Sequence, residues 1–197
     1  MRELFFLTGN PGKFHEATVI FQDALLDINL QQDPTELVEI QSEYLENVAM
    51  YKLRYYVDTL GNRDRSCFAE DAGFFVTGHL NGFPGVYSAY VQKSIGNEAI
   101  LWLMDGEADR TCHFSACIAF FSAITGEYST FAGTVEGTVA SEQRGTGGFG
   151  FDPIFIPDEM PEVTFAELSA EVKSSISHRG RALAQFISFL GENPDVL

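Results

Sequence analysis

Glu70 and Asp71 stand side by side between the apolar run Cys67-Phe68-Ala69 and the pair Ala72-Gly73. Adjacent carboxylates at the end of an apolar strand suit a hard cation such as Mg²⁺, which takes oxygen ligands and keeps several waters. Neighbouring side chains on a strand diverge, so one of the two faces a site and the other its surroundings. The same residues also make an Asp-Gly type of turn with solvated acids.

A second chemical stretch is Thr8-Gly9-Asn10-Pro11-Gly12-Lys13. It lies between the strand-like Leu4-Phe5-Phe6-Leu7 and a helix-like run from Phe14 to Phe21. A strand, a glycine-bearing turn with a lysine, and a helix can hold phosphate: backbone N–H groups at the helix start and the helix dipole favour an anion. The glycine spacing is not that of a P-loop. An ordinary strand-to-helix turn explains the segment equally well.

Two further segments carry recognition chemistry. In Gly147-Gly148-Phe149-Gly150-Phe151-Asp152-Pro153, Phe149 and Phe151 offer faces for stacking a base, and Asp152 offers an acceptor. The same loop also reads as a hydrophobic anchor. In Lys173-Ser174-Ser175-Ile176-Ser177-His178-Arg179-Gly180, Ser177 is an expected N-cap that leaves His178 and Arg179 in the first helical turn. Cations are disfavoured at that end of a helix. A broken local rule of this kind points to a functional site with an anionic or acceptor-rich ligand.

The elements that must position these groups are legible as patterns. Residues 3–8 read as a strand, 12–24 as a helix and 26–31 as a second strand. Residues 43–60 carry Leu45, Val48, Ala49, Leu53, Tyr56, Val57 and Leu60 at helical spacing. Residues 67–69 read as a short strand before the two acids, and 74–79 as a further extended stretch. Residues 97–104 form a short helix, and Thr111 to Ser122 alternates as a strand. Residues 127–132 and 134–140 read as two strands, and 178–190 as a closing helix. The order predicts an α/β protein, one domain over residues 1–197, with a long mixed sheet that is partly antiparallel.

Composition narrows the class. The formal net charge is −16, which repels nucleic acid polymers and anionic membrane surfaces. No run is long enough to span a bilayer and no signal-peptide pattern is present, so the expectation is a soluble cytoplasmic protein. Cys67, Cys112 and Cys117 lie in apolar stretches without a C-x-x-C, and read as buried reduced thiols. Cys112-His113 would diverge on a strand and is not expected to bind metal. Only four lysines occur, Lys13, Lys52, Lys93 and Lys173, so each carries more weight than a decorative surface lysine.

Taken in order, these motifs resemble the inosine triphosphate pyrophosphatase family, from about Leu4 to Leu190. The resemblance rests on Thr8-Gly9-Asn10 with Lys13 and Glu16, and on Glu70-Asp71-Ala72-Gly73 followed by Gly82-Phe83-Pro84-Gly85-Val86-Tyr87-Ser88. Phe149-Gly150-Phe151-Asp152-Pro153 and Ser177-His178-Arg179 complete it. It implies an elongated mixed β-sheet with flanking helices forming two lobes around a central cleft, usually as a homodimer. It implies Mg²⁺-dependent hydrolysis of noncanonical purine nucleoside triphosphates (ITP, dITP, XTP) to the monophosphate and pyrophosphate, a cleansing of the nucleotide pool. By the same resemblance, Thr8, Gly9, Asn10 and Lys13 form the phosphate loop, and Lys52 and Lys173 join Lys13 on the phosphates. Glu39 and Asp71 bind metal, and Asp71 also takes the proton from water. Phe149, Gly150, Phe151 and Asp152 serve the base together with His178 and Arg179. Some relatives carry a basic residue two places after Pro-Gly-x-Tyr; here that place is Ala89, so the site is not extended there. A Maf-like pyrophosphatase and a non-catalytic nucleotide-binding module are the alternatives. The Ser-His-Arg and Phe-Gly-Phe-Asp motifs argue against the first, the intact acids and lysines against the second.

Overall fold

A computed structural model describes residues 2–24 and 26–197. Its strands are β1 (Arg2–Leu7), β2 (Ile28–Asp33), β3 (Cys67–Val76), β4 (Phe83–Gly85), β5 (Thr111–Phe121), β6 (Tyr128–Val139) and β7 (Phe155–Pro157). They form a seven-stranded sheet in the order β2-β1-β3-β5-β6-β7, with β4 paired to β3. β1 runs parallel to β2 and β3, whereas the β3–β4 and β6–β7 pairs are antiparallel. The sheet is therefore mixed, as the element order predicts. The helices are α1 (Pro11–Asp23), α2 (Leu45–Arg54), α3 (Ser88–Ser94), α4 (Gly96–Leu103), α5 (Ala170–Ile176) and α6 (His178–Glu192). Among the described residues, no helix is long and apolar enough to cross a membrane.

Several boundaries differ from the sequence reading. The two acids do not end a strand; they lie within a single ten-residue β3, because Gly73 continues extended rather than turning. Residues 128–139 form one strand, with Gly133 inside it. The helix expected over 43–60 stops at Arg54 and continues as a π-helical turn, Tyr55–Thr59, closed by Leu60 N–H donating to the Tyr55 carbonyl at 3.0 Å. α3 and α5 escaped the periodicity argument because seven residues supply too few apolar repeats.

The chain divides into two compact units. The first comprises the residues up to Asp71, Ala116–Gly133 and Gly180–Leu197; the second comprises Ala72–Ser115 and Thr134–Arg179. Each has an aromatic core. In the first, Phe6 stacks on Phe68 at 4.3 Å, and Phe186 of α6 meets Phe68 at 5.1 Å and Phe120 at 5.0 Å. In the second, Phe74 contacts Phe114 and Phe151, each at 5.0 Å, and Phe155 contacts Phe165 at 4.7 Å. Such pairs add roughly 0.5–1.5 kcal/mol beyond the area they bury. Cys67, Cys112 and Cys117 are buried free thiols, and burial pushes all three above the ordinary cysteine value.

The turn between β1 and α1 is held from within. Thr8 N–H donates to the Asp33 carbonyl at 2.9 Å, and Thr8 Oγ1 accepts from Asn10 N–H at 3.1 Å. Asn10, not a glycine, caps α1: its Oδ1 accepts from the N–H groups of Gly12 at 2.9 Å and Lys13 at 3.2 Å. Behind the turn, Asp33 accepts from the Thr35 N–H at 3.0 Å and hydroxyl at 2.6 Å, and from the buried Tyr56 hydroxyl at 2.6 Å. Burial works to raise the Asp33 pKa, yet these donors outweigh it and hold the carboxyl below the usual aspartate value. Burial, then Asp33, pushes the Tyr56 phenol up to about 12.

A carboxylate whose pKa is depressed on folding adds stability above its unfolded pKa and loses it as pH falls through the folded value. Tyr56→Phe is therefore expected to lower the unfolding free energy by about 1–2 kcal/mol at pH 7. That difference should shrink below the ordinary aspartate pKa of about 4. Urea denaturation at both pH values measures it, and an undiminished difference in acid would assign the loss to packing instead.

Candidate active site

In the first unit, Lys13, Glu39, Lys52, Glu70 and Asp71 form one charged cluster. α2 carries Lys52 on its buried face, in register with Val48 and Leu45. Its ammonium donates to Asp71 Oδ1 at 2.8 Å and to Glu39 Oε1 at 3.0 Å. Lys13, at the start of α1, lies 3.6 Å from Glu70 Oε1. Consecutive strand residues point to opposite faces, and here each of the two acids meets its own lysine. Glu70 and Asp71 are both buried, whereas the Glu39 side chain is 63% exposed.

Burial drives the Asp71 pKa up; Lys52 and Lys13 oppose it, and the balance leaves the carboxyl above its usual range. Burial works to lower the Lys52 pKa, but Asp71 and Glu39 outweigh it and the ammonium is held charged. The Lys52 ammonium thus lies between two carboxylates. Asp71 and Glu39 are of the kind that could hold Mg²⁺, which binds through one or two carboxylates and takes its other oxygens from phosphates and water. Among the described residues no group of three or more acids, histidines or cysteines that could hold a metal ion gathers.

The loop before Lys13 behaves differently from the sequence expectation. Pro11 has no N–H, the Gly12 and Lys13 N–H groups donate to Asn10 Oδ1, and Phe14 N–H donates to the Asn10 carbonyl at 3.2 Å. The first turn of α1 therefore spends its donors internally, and the charge it offers an anion is that of Lys13. Gly9 has an ordinary negative φ; a Cβ there would find nothing within 4 Å, so the backbone beside Thr8 and Asn10 is open to close approach.

The second unit holds the other motif residues. Lys173 and Asp152 are 5% and 3% exposed, and the Lys173 ammonium donates to Asp152 Oδ2 at 2.6 Å. That oxygen also accepts from Phe149 N–H at 2.7 Å. Gly148, at φ +66°, makes room for it: a Cβ there would lie 2.1 Å from Asp152 Oδ2. Phe149 is 36% exposed, with Lys173 Nζ 4.9 Å and Arg179 Cζ 5.4 Å from its ring centre. Phe151 is buried in the core against Phe74. His178 and Arg179 open α6 and are buried, His178 stacked on Phe114 at 4.7 Å. Ser177 stands at the C-terminal cap of α5, immediately before α6.

The structure groups the predicted residues in two sets. Lys13, Glu39, Lys52 and Asp71 come together, and Phe149, Asp152, Lys173 and Arg179 come together. Lys173, grouped from the sequence with the phosphate lysines, has its ammonium on Asp152 beside Phe149. Lys93, the lysine left unassigned, is exposed on α3. Sequence reasoning missed Glu70 as the partner of Lys13 and Asp33 as the anchor of the turn. It also missed Gln92 and Asn97. Gln92 Nε2 donates to the Gly150 carbonyl at 3.0 Å and Asn97 Nδ2 at 3.2 Å, the latter also to Gln143 Oε1 at 3.1 Å. No local motif marks these amides, because their partner lies more than fifty residues away.

A lysine at the start of the first helix, a lysine-braced aspartate in a strand and a cationic aromatic loop define a class of nucleotide-handling α/β protein. Residues 4–189 match the Ham1 family model, and the chain belongs to the Ham1 family. It is 47% identical over 190 residues to a protein of Thermococcus kodakarensis named dITP/XTP pyrophosphatase, covering 96% of this chain and 98% of that one. It is 44% identical over 191 residues to a protein of the same name from Methanopyrus kandleri, covering 97% of each. The solved Staphylococcus aureus Ham1 protein superposes with a TM-score of 0.80 at 30% identity, covering 98% of this chain and all of that one.

Removing one partner of a buried ion pair leaves the other charge without its counterion. Lys173→Met is therefore expected to lower the unfolding free energy by about 3 kcal/mol. Adding Asp152→Asn should restore part of that loss. A double-mutant cycle in urea measures the coupling, and additive effects would show that the pair contributes no interaction of its own.

Proposed function

We propose that this chain is a Mg²⁺-dependent nucleoside triphosphate pyrophosphatase that removes deaminated purine nucleotides, ITP, dITP and XTP, from the nucleotide pool. The observation that carries the reading is Asp71: a buried carboxylate with an upshifted pKa, braced by Lys52 and near Lys13, in a Ham1 chain whose relatives are named for this activity. Substrate and water become the nucleoside monophosphate and pyrophosphate. Asp71 accepts a proton from the attacking water, whose oxygen bonds to the α-phosphorus as the bond to the β-phosphate's bridging oxygen breaks. An upshifted carboxylate suits this role, since a base works best with a pKa nearer the working pH. Asp71 and Glu39 are the residues that would hold Mg²⁺, which supplies charge neutralisation and a more acidic water. Lys13 and Lys52 provide fixed positive charge for the phosphates as negative charge builds on the leaving group.

The base is assigned to the second cluster. Stacking on Phe149 contributes roughly 1–3 kcal/mol. Lys173, Arg179 and His178 supply donors for the 6-oxo group of hypoxanthine or xanthine. Lys173 is placed here rather than on the phosphates because its ammonium sits on Asp152 and over Phe149. The 6-amino group of adenine would meet donors with a donor, and a site built for an acceptor rejects that mismatch strongly.

Pyrophosphate release from dITP, XTP, dGTP and dATP, with Mg²⁺ and with EDTA, tests both parts. Metal-dependent release confined to dITP and XTP is the expected result. Release from all four would discard the base assignment, and binding without turnover would favour a nucleotide-binding module. Asp71→Asn should remain folded and lose at least about a hundredfold in kcat, the size of a general-base contribution. Arg179→Ala should narrow the dITP-to-dATP ratio of kcat/KM; an unchanged ratio removes Arg179 from base selection.

A further inference from the structure

We infer that Gln92 and Asn97 are positioning residues for the base loop, two amides from α3 and α4 that hold the Gly150 carbonyl and thereby set where Phe149 stands. The inference rests on the base assignment just proposed. Gly150 separates two rings with different fates: Phe151 is buried against Phe74, and Phe149 is partly exposed. The φ of +66° at Gly150 makes that divergence accessible to the backbone. Its carbonyl accepts from Gln92 Nε2 at 3.0 Å and from Asn97 Nδ2 at 3.2 Å, which fixes the peptide plane between Gly150 and Phe151, one residue beyond Phe149. On the other side, Phe149 N–H is tied to Asp152 Oδ2. The ring is thus set by two anchors, one of them the loop's own aspartate and the other supplied by a separate helical pair.

Two buried oxygens accompany this clamp. Gln92 Oε1 and Asn97 Oδ1 have no hydrogen-bond partner among the described residues. Each amide thus leaves its own acceptor unpaired while it aims its donor at Gly150. Methionine or leucine would fill similar space but would strip the Gly150 carbonyl of these two donors. The selection expressed here is for the direction of a peptide group, two residues from the acid that also holds Lys173.

The test compares Gln92→Met, Asn97→Leu and the double variant with the natural protein by three readouts. Hydrogen exchange at the Phe149 and Asp152 amides should accelerate about tenfold or more in the double variant, as expected when a restrained segment opens more easily. The thermal midpoint should fall by only a few degrees, the size expected for the lost hydrogen bonds. KM for dITP should rise about tenfold, a fraction of what base stacking supplies, with kcat within about twofold, since uniform binding is lost and chemistry is not. Unchanged exchange and KM would overturn the inference. So would a midpoint lowered well beyond that, with kcat and KM failing together, which marks a merely structural pair. If the natural protein hydrolyses no nucleotide, the proposed function falls separately and the exchange rates alone decide the clamp.

Discussion

The ammonium of Lys52 is the point on which the first cluster turns. It touches a buried aspartate and an exposed glutamate at once, and it does so in a chain of formal charge −16. A protein this acidic repels a triphosphate at long range, so attraction must be local. Screening helps, because charges more than about 8–10 Å apart interact weakly at physiological salt. Within that radius, Lys13 and Lys52 supply the positive charge, set among Glu39, Glu70 and Asp71. Each also lies against one of two consecutive buried acids, Lys13 against Glu70 and Lys52 against Asp71. On the proposed reading the same positive charge serves twice, once beside the buried carboxylates and once toward the phosphates.

The second cluster solves a different problem with the same residue types. Lys173 and Asp152 are both sealed from solvent, and the aspartate shares its oxygen with a backbone N–H. Such a pair gives little net stability and much geometric definition. It fixes the loop that carries Phe149, and the ring in turn lies under two cations. A flexible glycine-rich stretch is thereby converted into a defined surface by bonds that cross from α5 and from the α3–α4 pair.

Much of this was legible in the sequence, for identifiable reasons. Strong apolar patterns located β1, α1, β5 and α6 to within two residues, and the start of α2, while the scarcity of lysine singled out Lys13, Lys52 and Lys173, whose ammonium groups the structure places beside acidic side chains. What was not legible depended on partners distant in sequence. Glycine at 73 and 133 suggested breaks, but strand pairing overrode that local signal. The donors at the start of α1 looked available until Asn10 was seen to occupy them, because capping and anion binding compete for the same N–H groups. Sequence reasoning places Lys173 with the phosphate lysines, since only the fold brings its ammonium to Asp152.

The three thiols give the molecule an internal set of clocks. Cys67 and Cys117 belong to the first unit and Cys112 to the second, all buried and all with thiolate formation suppressed by burial. A thiol in that state reacts with an alkylating reagent only when its surroundings open. Covalent tagging followed by peptide mass analysis therefore times the opening of each unit independently, without a fluorophore or an engineered site, and reads directly whether nucleotide slows one clock, the other, or both.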